Sequence, residues 1–179
     1  MIQGDNMSRP QLIVFSGLPG TGKSTLAEYA GRQLHYPVFS KDYLEATLWR
    51  EGIGQAQRSG WIAQELLNTL ALRQMHLGQS AILDTVATFD RVRAPWREAA
   101  GAYGADFRVV ETICADEQLH RDRLVGRDRG IPGWHELTWA DVEGVRGRFE
   151  PWTDARLVLD AVQPLDTNVA LLRDYLNIP

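Results

Sequence analysis

The sequence has very little cysteine, very little lysine and no long apolar run, and each shortage closes off a class of protein. Cys114 is the only cysteine, which excludes an internal disulfide and a cysteine-rich metal site. Its place in an apolar strand-like stretch reads as a buried bystander, not a nucleophile. Only Lys23 and Lys41 supply lysine among 19 basic residues; the rest are arginine. With a net charge of −4 and no lysine-rich stripe, the composition speaks against a nucleic-acid partner. No apolar stretch approaches the roughly 20 residues of a membrane span, so no membrane association is expected. Residues 1–10 are polar and lack the apolar centre of a targeting peptide, so they read as a flexible leader on a cytoplasmic protein. His35, His76, His120 and His135 have no metal-ligand spacing and read as ordinary residues. Repeats and low-complexity tracts are absent.

Against these shortages stands one local excess. The stretch IVFSGLPGTGKSTLAEYA, Ile13 to Ala30, crowds three glycines and a lysine between residues 17 and 23, just before a good helix. Glycine costs a helix up to about 1 kcal/mol per residue, so the cluster needs a reason. Gly17, Gly22, Lys23 and Ser24 satisfy G-x-x-x-x-G-K-[ST], with an apolar strand before and a helix after. Backbone N–H groups from Gly17 through Leu18, Pro19 (which has none), Gly20, Thr21 and Gly22 to Thr25 then converge on phosphate oxygens at a helix N-terminus. Lys23 reaches the terminal phosphates and Ser24 offers its hydroxyl to Mg²⁺. This points to binding of ATP with Mg²⁺.

The remainder alternates between strand and helix patterns. Strands are expected at Gln11–Ser16, Pro37–Ser40, Ser80–Asp84, Ala105–Cys114 and Arg156–Asp160. Helices are expected at Lys23–Leu34, Asp42–Arg50, up to about Leu77 with Ile62, Leu66, Leu70 and Leu77 inward, at Phe89–Ala100, after an Asp116 cap, at Thr138–Phe149 and at Asp166–Leu176. Without hairpin signals this is an α/β chain with a parallel sheet covered on both faces, a single domain over 11–179. Ligands in such sheets bind at the strands' carboxyl ends.

Several charged residues fall at those ends. Asp84 closes the third strand, where a carboxylate can hold Mg²⁺ directly or through water. Asp42 follows the second strand in FSKD and can take the proton of an attacking hydroxyl, or cap the helix that follows, or both. Arg123 and Arg127, four apart and so on one helical face, with Arg129 after them, can close over phosphates; a solvated face with Glu117 paired to Arg121 is the plainer reading. Lys41 lies beside Asp42. Trp49, Trp61, Trp134 and Trp139 fall on segments that should border a substrate, where they could stack on a ring or pack into the core.

In combination these features resemble the small AAA-type P-loop kinases, which include zeta toxins, polynucleotide 5′-hydroxyl kinases, chloramphenicol phosphotransferase and gluconate kinase. The resemblance runs from Leu12 to Leu176. It rests on GLPGTGKST, SKD after the second strand, ILDT after the third, RDRLVGRDR in the lid and LVLDAVQP near the end. It implies a three-layer P-loop sandwich with five parallel strands in order 2-3-1-4-5 and a helical lid around 116–135. It further implies Asp42 as catalytic base, Arg127 as a lid arginine on phosphate, and an adenine pocket near Gln163 and Pro164. No match is found to the acceptor-recognition residues of gluconate, shikimate or adenylate kinases, so the acceptor stays open.

The expected function is transfer of the ATP γ-phosphate to a hydroxyl of a small nucleoside, sugar or antibiotic. The alternatives are a polynucleotide 5′-hydroxyl kinase and a non-catalytic nucleotide-dependent switch. A guanine-dependent switch lacks its N-K-x-D element, and the only D-x-x-G, Asp141 to Gly144, falls in a late helix.

Overall fold

The computed structural model describes residues 9–179; the leader expected at 1–10 lies outside the described residues through residue 8. Strand β1 (Gln11–Gly17) pairs in parallel with β3 (Ala81–Asp84) on one side and β4 (Asp106–Ile113) on the other. The edges are β2 (Val38–Ser40), outside β3, and β5 (Arg156–Asp160), outside β4, so the order is β2-β3-β1-β4-β5 as expected.

Leu12, Ile13, Val14 and Phe15 are all fully buried because β1 carries a core on each face. Leu12 and Val14 join Leu67, Met75, Trp96 and Trp152 on one side. Ile13 and Phe15 join Leu26, Ala30, Leu172 and Leu176 on the other. The first face is covered by α3 (Ser59–His76) and α4 (Asp90–Ala102), the second by α1 (Lys23–Leu34) and α7 (Leu165–Leu176). Three shorter α-helices, α2 (Lys41–Arg50), α5 (Glu117–Asp122) and α6 (Trp139–Arg146), and a 3-10 turn at Gln55–Gln57 complete the described elements. The connection reverses direction across the sheet at β1, which opens a crevice beyond its carboxyl end.

Four local expectations need correction. The inward stripe of α3 is Ala63, Leu67, Ala71 and Met75, whereas Ile62, Leu66 and Leu77 are exposed. This helix is apolar on more than one side, and the sheet selects the side whose two alanines permit close approach. Second, the arginine-rich stretch is not one helix. α5 ends at Asp122, and turns follow, with Leu124 N–H donating to Arg121 O, Val125 N–H to Asp122 O, and Gly126 at φ 65°. Arg123 and Arg127 therefore do not share a helical face. Third, Cys114 lies just past β4, only half-buried, with its thiol on Asp116 O at 3.3 Å. The helix expected to reach Phe149 also stops earlier, at Arg146.

The two tryptophans that do fill the core are Trp96 and Trp152. Between Trp152 and Phe149 lies Arg93, fully buried and without a carboxylate partner among the described residues. Its guanidinium donates instead to four carbonyls: Ala87 O at 2.8 Å, Pro151 O at 3.0 Å, Thr88 O at 3.4 Å and Glu150 O at 2.5 Å. It thereby ties the loop after β3 to the segment before β5. Arg93→Leu should cost about 3 kcal/mol or more, because those carbonyls lose a charged donor they cannot replace while buried. Arg93→Lys, which reaches fewer of them, should recover less than half. Urea unfolding of the two variants reads this directly.

Candidate active site

The glycine-rich loop takes its shape from close approach and from hydrogen bonds at its back. At Gly17, φ is 136° and a Cβ would lie 2.1 Å from Thr112 O on β4, so only glycine fits. Thr112 Oγ1 donates to Ser16 O at 3.2 Å and lies 2.6 Å from Thr21 Oγ1, whose single proton goes either to Thr112 Oγ1 or to Leu18 O at 2.7 Å. The outer side of the loop is held by His120, whose Nε2 lies 2.7 Å from Pro19 O. A carbonyl only accepts, so this nitrogen carries the proton. Gly22, at φ 92°, is the N-cap of α1, and a Cβ there would meet nothing within 4 Å; the cradle side is open.

Lys23 and Ser24 open α1. Lys23 is buried, its Nζ 3.3 Å from Leu18 O. Burial lowers the pKa of its ammonium, against the pull of Asp84 and Asp42. Asp84 is buried opposite, and its Oδ2 accepts from Ser24 Oγ at 2.8 Å and Ser40 Oγ at 3.1 Å. Burial raises the pKa of its carboxyl, opposed by Lys23 and by both hydroxyls. A carboxylate and a serine hydroxyl side by side at a helix N-terminus are hard oxygen donors of the type Mg²⁺ takes. Among the described residues no cluster of three or more histidine, cysteine or acidic side chains could hold a metal alone, so a cation here needs further oxygens from phosphate or water.

Asp42 lies in the first turn of α2, and the N-cap is Ser40, so capping does not claim its carboxylate. Arg129 does, at 2.7 Å. Arg129 also bonds Glu136 through its backbone N–H at 3.0 Å and lies over the Trp134 ring, 4.8 Å from the centroid. Arg50 adds a bond to Pro132 O at 2.6 Å, and Trp49 stacks on Trp134 with centroids 4.7 Å apart. The 129–136 segment is thus docked on α2 over the crevice. Arg127 is half-buried nearby; burial lowers its pKa first and Arg129 second. Lys41 pairs with Glu45 at 2.7 Å.

Arg123 goes elsewhere. Its Nη2 donates to Ala161 O at 2.7 Å, on the wall of a cleft of about 230 Å³ shared with Thr21, Thr25, Gln163 and Asn168. This is the side where an adenine pocket is expected; Gln163 lines it, while Pro164 serves as the N-cap of α7. On the opposite side of the loop, Asp42, Lys41, Trp49, Trp61, Trp134 and Phe89 border a cavity of about 330 Å³.

The family model of the AAA domain matches residues 12–151. The chain belongs to this AAA-domain family. No curated protein sequence matches it. Among solved structures, a candidate kinase from Chloroflexus aurantiacus superposes with a TM-score of 0.73 at 22% identity, covering 94% of this chain and 99% of that one. A gluconokinase from Sinorhizobium meliloti gives 0.69 at 21%, covering 94% and 93%. Kti12 from Chaetomium thermophilum, in complex with ADP-AlF3, gives 0.69 at 18%, covering 94% and 98%. At these identities the likeness establishes the shared P-loop fold.

Within this AAA domain, the crevice brings together Lys23, Ser24, Asp84, Asp42, Arg127 and, closest to Asp42, Arg129; it leaves Arg123 on the far cleft. Trp139 stands apart, edge-on to His120 at 5.2 Å. Two residues that shape the loop were not expected, Thr112 and His120. Nothing in the sequence distinguishes Thr112 from any strand threonine, and His120 lacked a partner until the turn at Pro19 was placed.

His120 also makes the loop sensitive to acid. Burial lowers its pKa below the ordinary 6.5, so it contributes stability fully above about that pH and loses it as pH falls through the lower folded value. His120→Ala should weaken ATP binding about tenfold at pH 7.5 through a looser loop, and should remove part of the destabilisation seen below about pH 6.5. Calorimetric titration and pH-dependent unfolding measure the two effects.

Proposed function

We propose that this AAA domain is an ATP-dependent phosphotransferase that moves the γ-phosphate to a hydroxyl of a small molecule. The observation that carries the reading is the convergence of Lys23, Asp84, Asp42 and Arg127 on one crevice beside the glycine-rich loop, close enough for Lys23 to feel the other three charges. The loop from Gly17 through Thr25 and the N-terminus of α1 bind the phosphates. Arg123 and Gln163 flank the adenine. Ser24 and Asp84 would hold Mg²⁺, which supplies charge neutralisation between the phosphates when bound.

The remaining chemistry belongs to the side chains. Lys23, a compact charge at the head of α1, holds the terminal phosphate in line. Asp42 accepts the proton of the acceptor hydroxyl as the new O–P bond forms. For that it must part from Arg129, which already touches Glu136 in its own segment and can turn to a bound phosphate. Arg127 and Arg129, on the segment that spans 116–135 as a lid, then lie where charge develops on the transferred group. The kinases among the solved structures support the reaction class, and the absence of a lysine-rich stripe supports a small acceptor over a polynucleotide end.

Three substitutions separate these roles. Lys23→Ala should abolish tight ATP binding with the fold intact; unchanged affinity in calorimetry would remove the loop from the nucleotide site. Asp42→Asn should keep ATP affinity and lose transfer by at least about 10², the lower end of general-base assistance. Asp84→Asn should instead weaken Mg²⁺ dependence and recover in part at high Mg²⁺. Transfer rates across a Mg²⁺ titration distinguish them. Near-full activity of Asp42→Asn would remove the base assignment, and its rescue by Mg²⁺ would make Asp42 a metal-shell residue.

A further inference from the structure

The cavity beside Asp42 has walls specific enough to say what enters it. It measures about 330 Å³ and runs from Pro19 of the glycine-rich loop past Asp42 to Trp61 and Phe89. That is the small end of the range for ligand pockets, room for one ring system with a short arm.

Its charges are already matched. Lys41 is paired with Glu45 at 2.7 Å, and Glu45 also accepts from Ser59 Oγ at 2.9 Å. Asp42 is paired with Arg129. The one further cation on the wall, Arg148, is exposed at the rim with its Nε on Gly144 O. A carboxylate- or sulfate-bearing acceptor would therefore lose water without gaining an unpaired cation inside, and the one acid that transfer would free, Asp42, is needed for the hydroxyl proton.

The aromatic walls carry the positive argument. Trp61 and Phe89 lie nearly parallel, 12° apart with centroids at 6.4 Å. The Arg91 guanidinium covers both, 4.5 Å from the Trp61 centroid and 4.8 Å from that of Phe89. Arg91 belongs to the outer groove between α3 and α4, and Phe89 to the inner cavity, while Trp61 borders both. The two rings therefore stand between the inner cavity and the outer groove, with the Arg91 cation over both. With Arg91 already over this π system, the aromatic surface that Trp61 and Phe89 contribute to the cavity favours a neutral ring over a second cation. Trp134, across the cavity, carries a buried Nε1–H with no partner among the described residues, a donor that a ring nitrogen or carbonyl could take after a small rotation.

We infer that the acceptor is a neutral, planar ring compound bearing a hydroxyl arm, of nucleoside or aryl-alcohol type. Its ring stacks on the Trp61 and Phe89 faces and its arm reaches Asp42. This rests on the phosphotransferase reading. In the transfer, the acceptor O–H loses its proton to Asp42, the oxygen bonds the γ-phosphorus, and the bond to the β-phosphate oxygen breaks to leave ADP.

The test uses the full chain with ATP and Mg²⁺. Uridine, adenosine, 1-phenyl-1,2-ethanediol, gluconate, kanamycin and a 5′-hydroxyl oligonucleotide are each assayed for ADP release and a phosphorylated product, and for direct binding by calorimetry. Binding of the non-hydrolysable ATP analogue AMPPNP is followed separately. The expected result is binding and phosphorylation of at least one ring compound, the nucleosides and the diol distinguishing the two sources. Trp61→Leu and Phe89→Leu should each raise KM for it about tenfold with kcat changed less than threefold, and Trp61→Phe should recover most of the loss. Failure of every ring compound to bind below about 1 mM overturns the inference, as does preferred phosphorylation of gluconate, kanamycin or the oligonucleotide; intact AMPPNP binding in those cases leaves the phosphotransferase reading standing. Loss of AMPPNP binding would instead overturn the phosphotransferase reading, and this inference with it.

Discussion

The approach of Gly17 to Thr112 governs the rest of the site. No side chain larger than hydrogen fits between β1 and the Thr112 carbonyl, so the chain leaves β1 hugging β4 and must turn back over it to reach α1. Thr112 then fixes the turn twice, through Ser16 O and Thr21 Oγ1, and both bonds lie in the core, where a missing partner would be costly. The start of α1 is thereby set, and with it the positions of Lys23 and Ser24 opposite the end of β3. The β1 and β3 register, Phe15 beside Asp84, brings that carboxylate to the same level.

A buried carboxylate and a buried ammonium facing each other are individually unfavourable and jointly tolerable. Desolvation pushes Asp84 up and Lys23 down, and each opposes the other's shift. The hydroxyls of Ser24 and Ser40 occupy one oxygen of Asp84, so the group is held in place without a closed ion pair. A site arranged in this way has a standing demand for polyvalent partners, a cation for the carboxylate and phosphate for the ammonium. Under the proposed function, that is a reason for Mg²⁺ and nucleotide to enter together.

The parts of this arrangement that depend on local chain chemistry were legible beforehand. Glycine spacing, strand alternation and the Asp116 cap each act within a few residues, and the sheet order followed from resemblance. What misled was long-range choice. The α3 helix offers apolar residues on two sides, and only the approach of its alanines to the sheet decides which turns inward. The arginine-rich run has helical composition, yet Gly126 takes a left-handed conformation and the stretch becomes turns. Thr112 and His120 act on backbone atoms far away in sequence, and such partners have no sequence signature. The capping role open to Asp42 fell to Ser40, two residues earlier, because the helix begins at Lys41.

The same long-range choice couples the 129–136 segment to Asp42. Arg129 is bound to Asp42 on α2, to Glu136 in its own segment and to the face of Trp134, which itself stacks on Trp49 of α2. Moving Arg129 therefore disturbs the charge around Asp42 and the aromatic wall of the cavity beside it together. A phosphate anion that draws Arg129 inward would free Asp42 and shift Trp134 in one motion, since the three are linked by direct contact. An acceptor ring seated against Trp134 would bias the same segment from the other side. Nucleotide and acceptor would then act on one movable element from opposite ends, and the proton acceptor would be uncovered only when both are present. Premature loss of phosphate to water would be held back by the same ion pair.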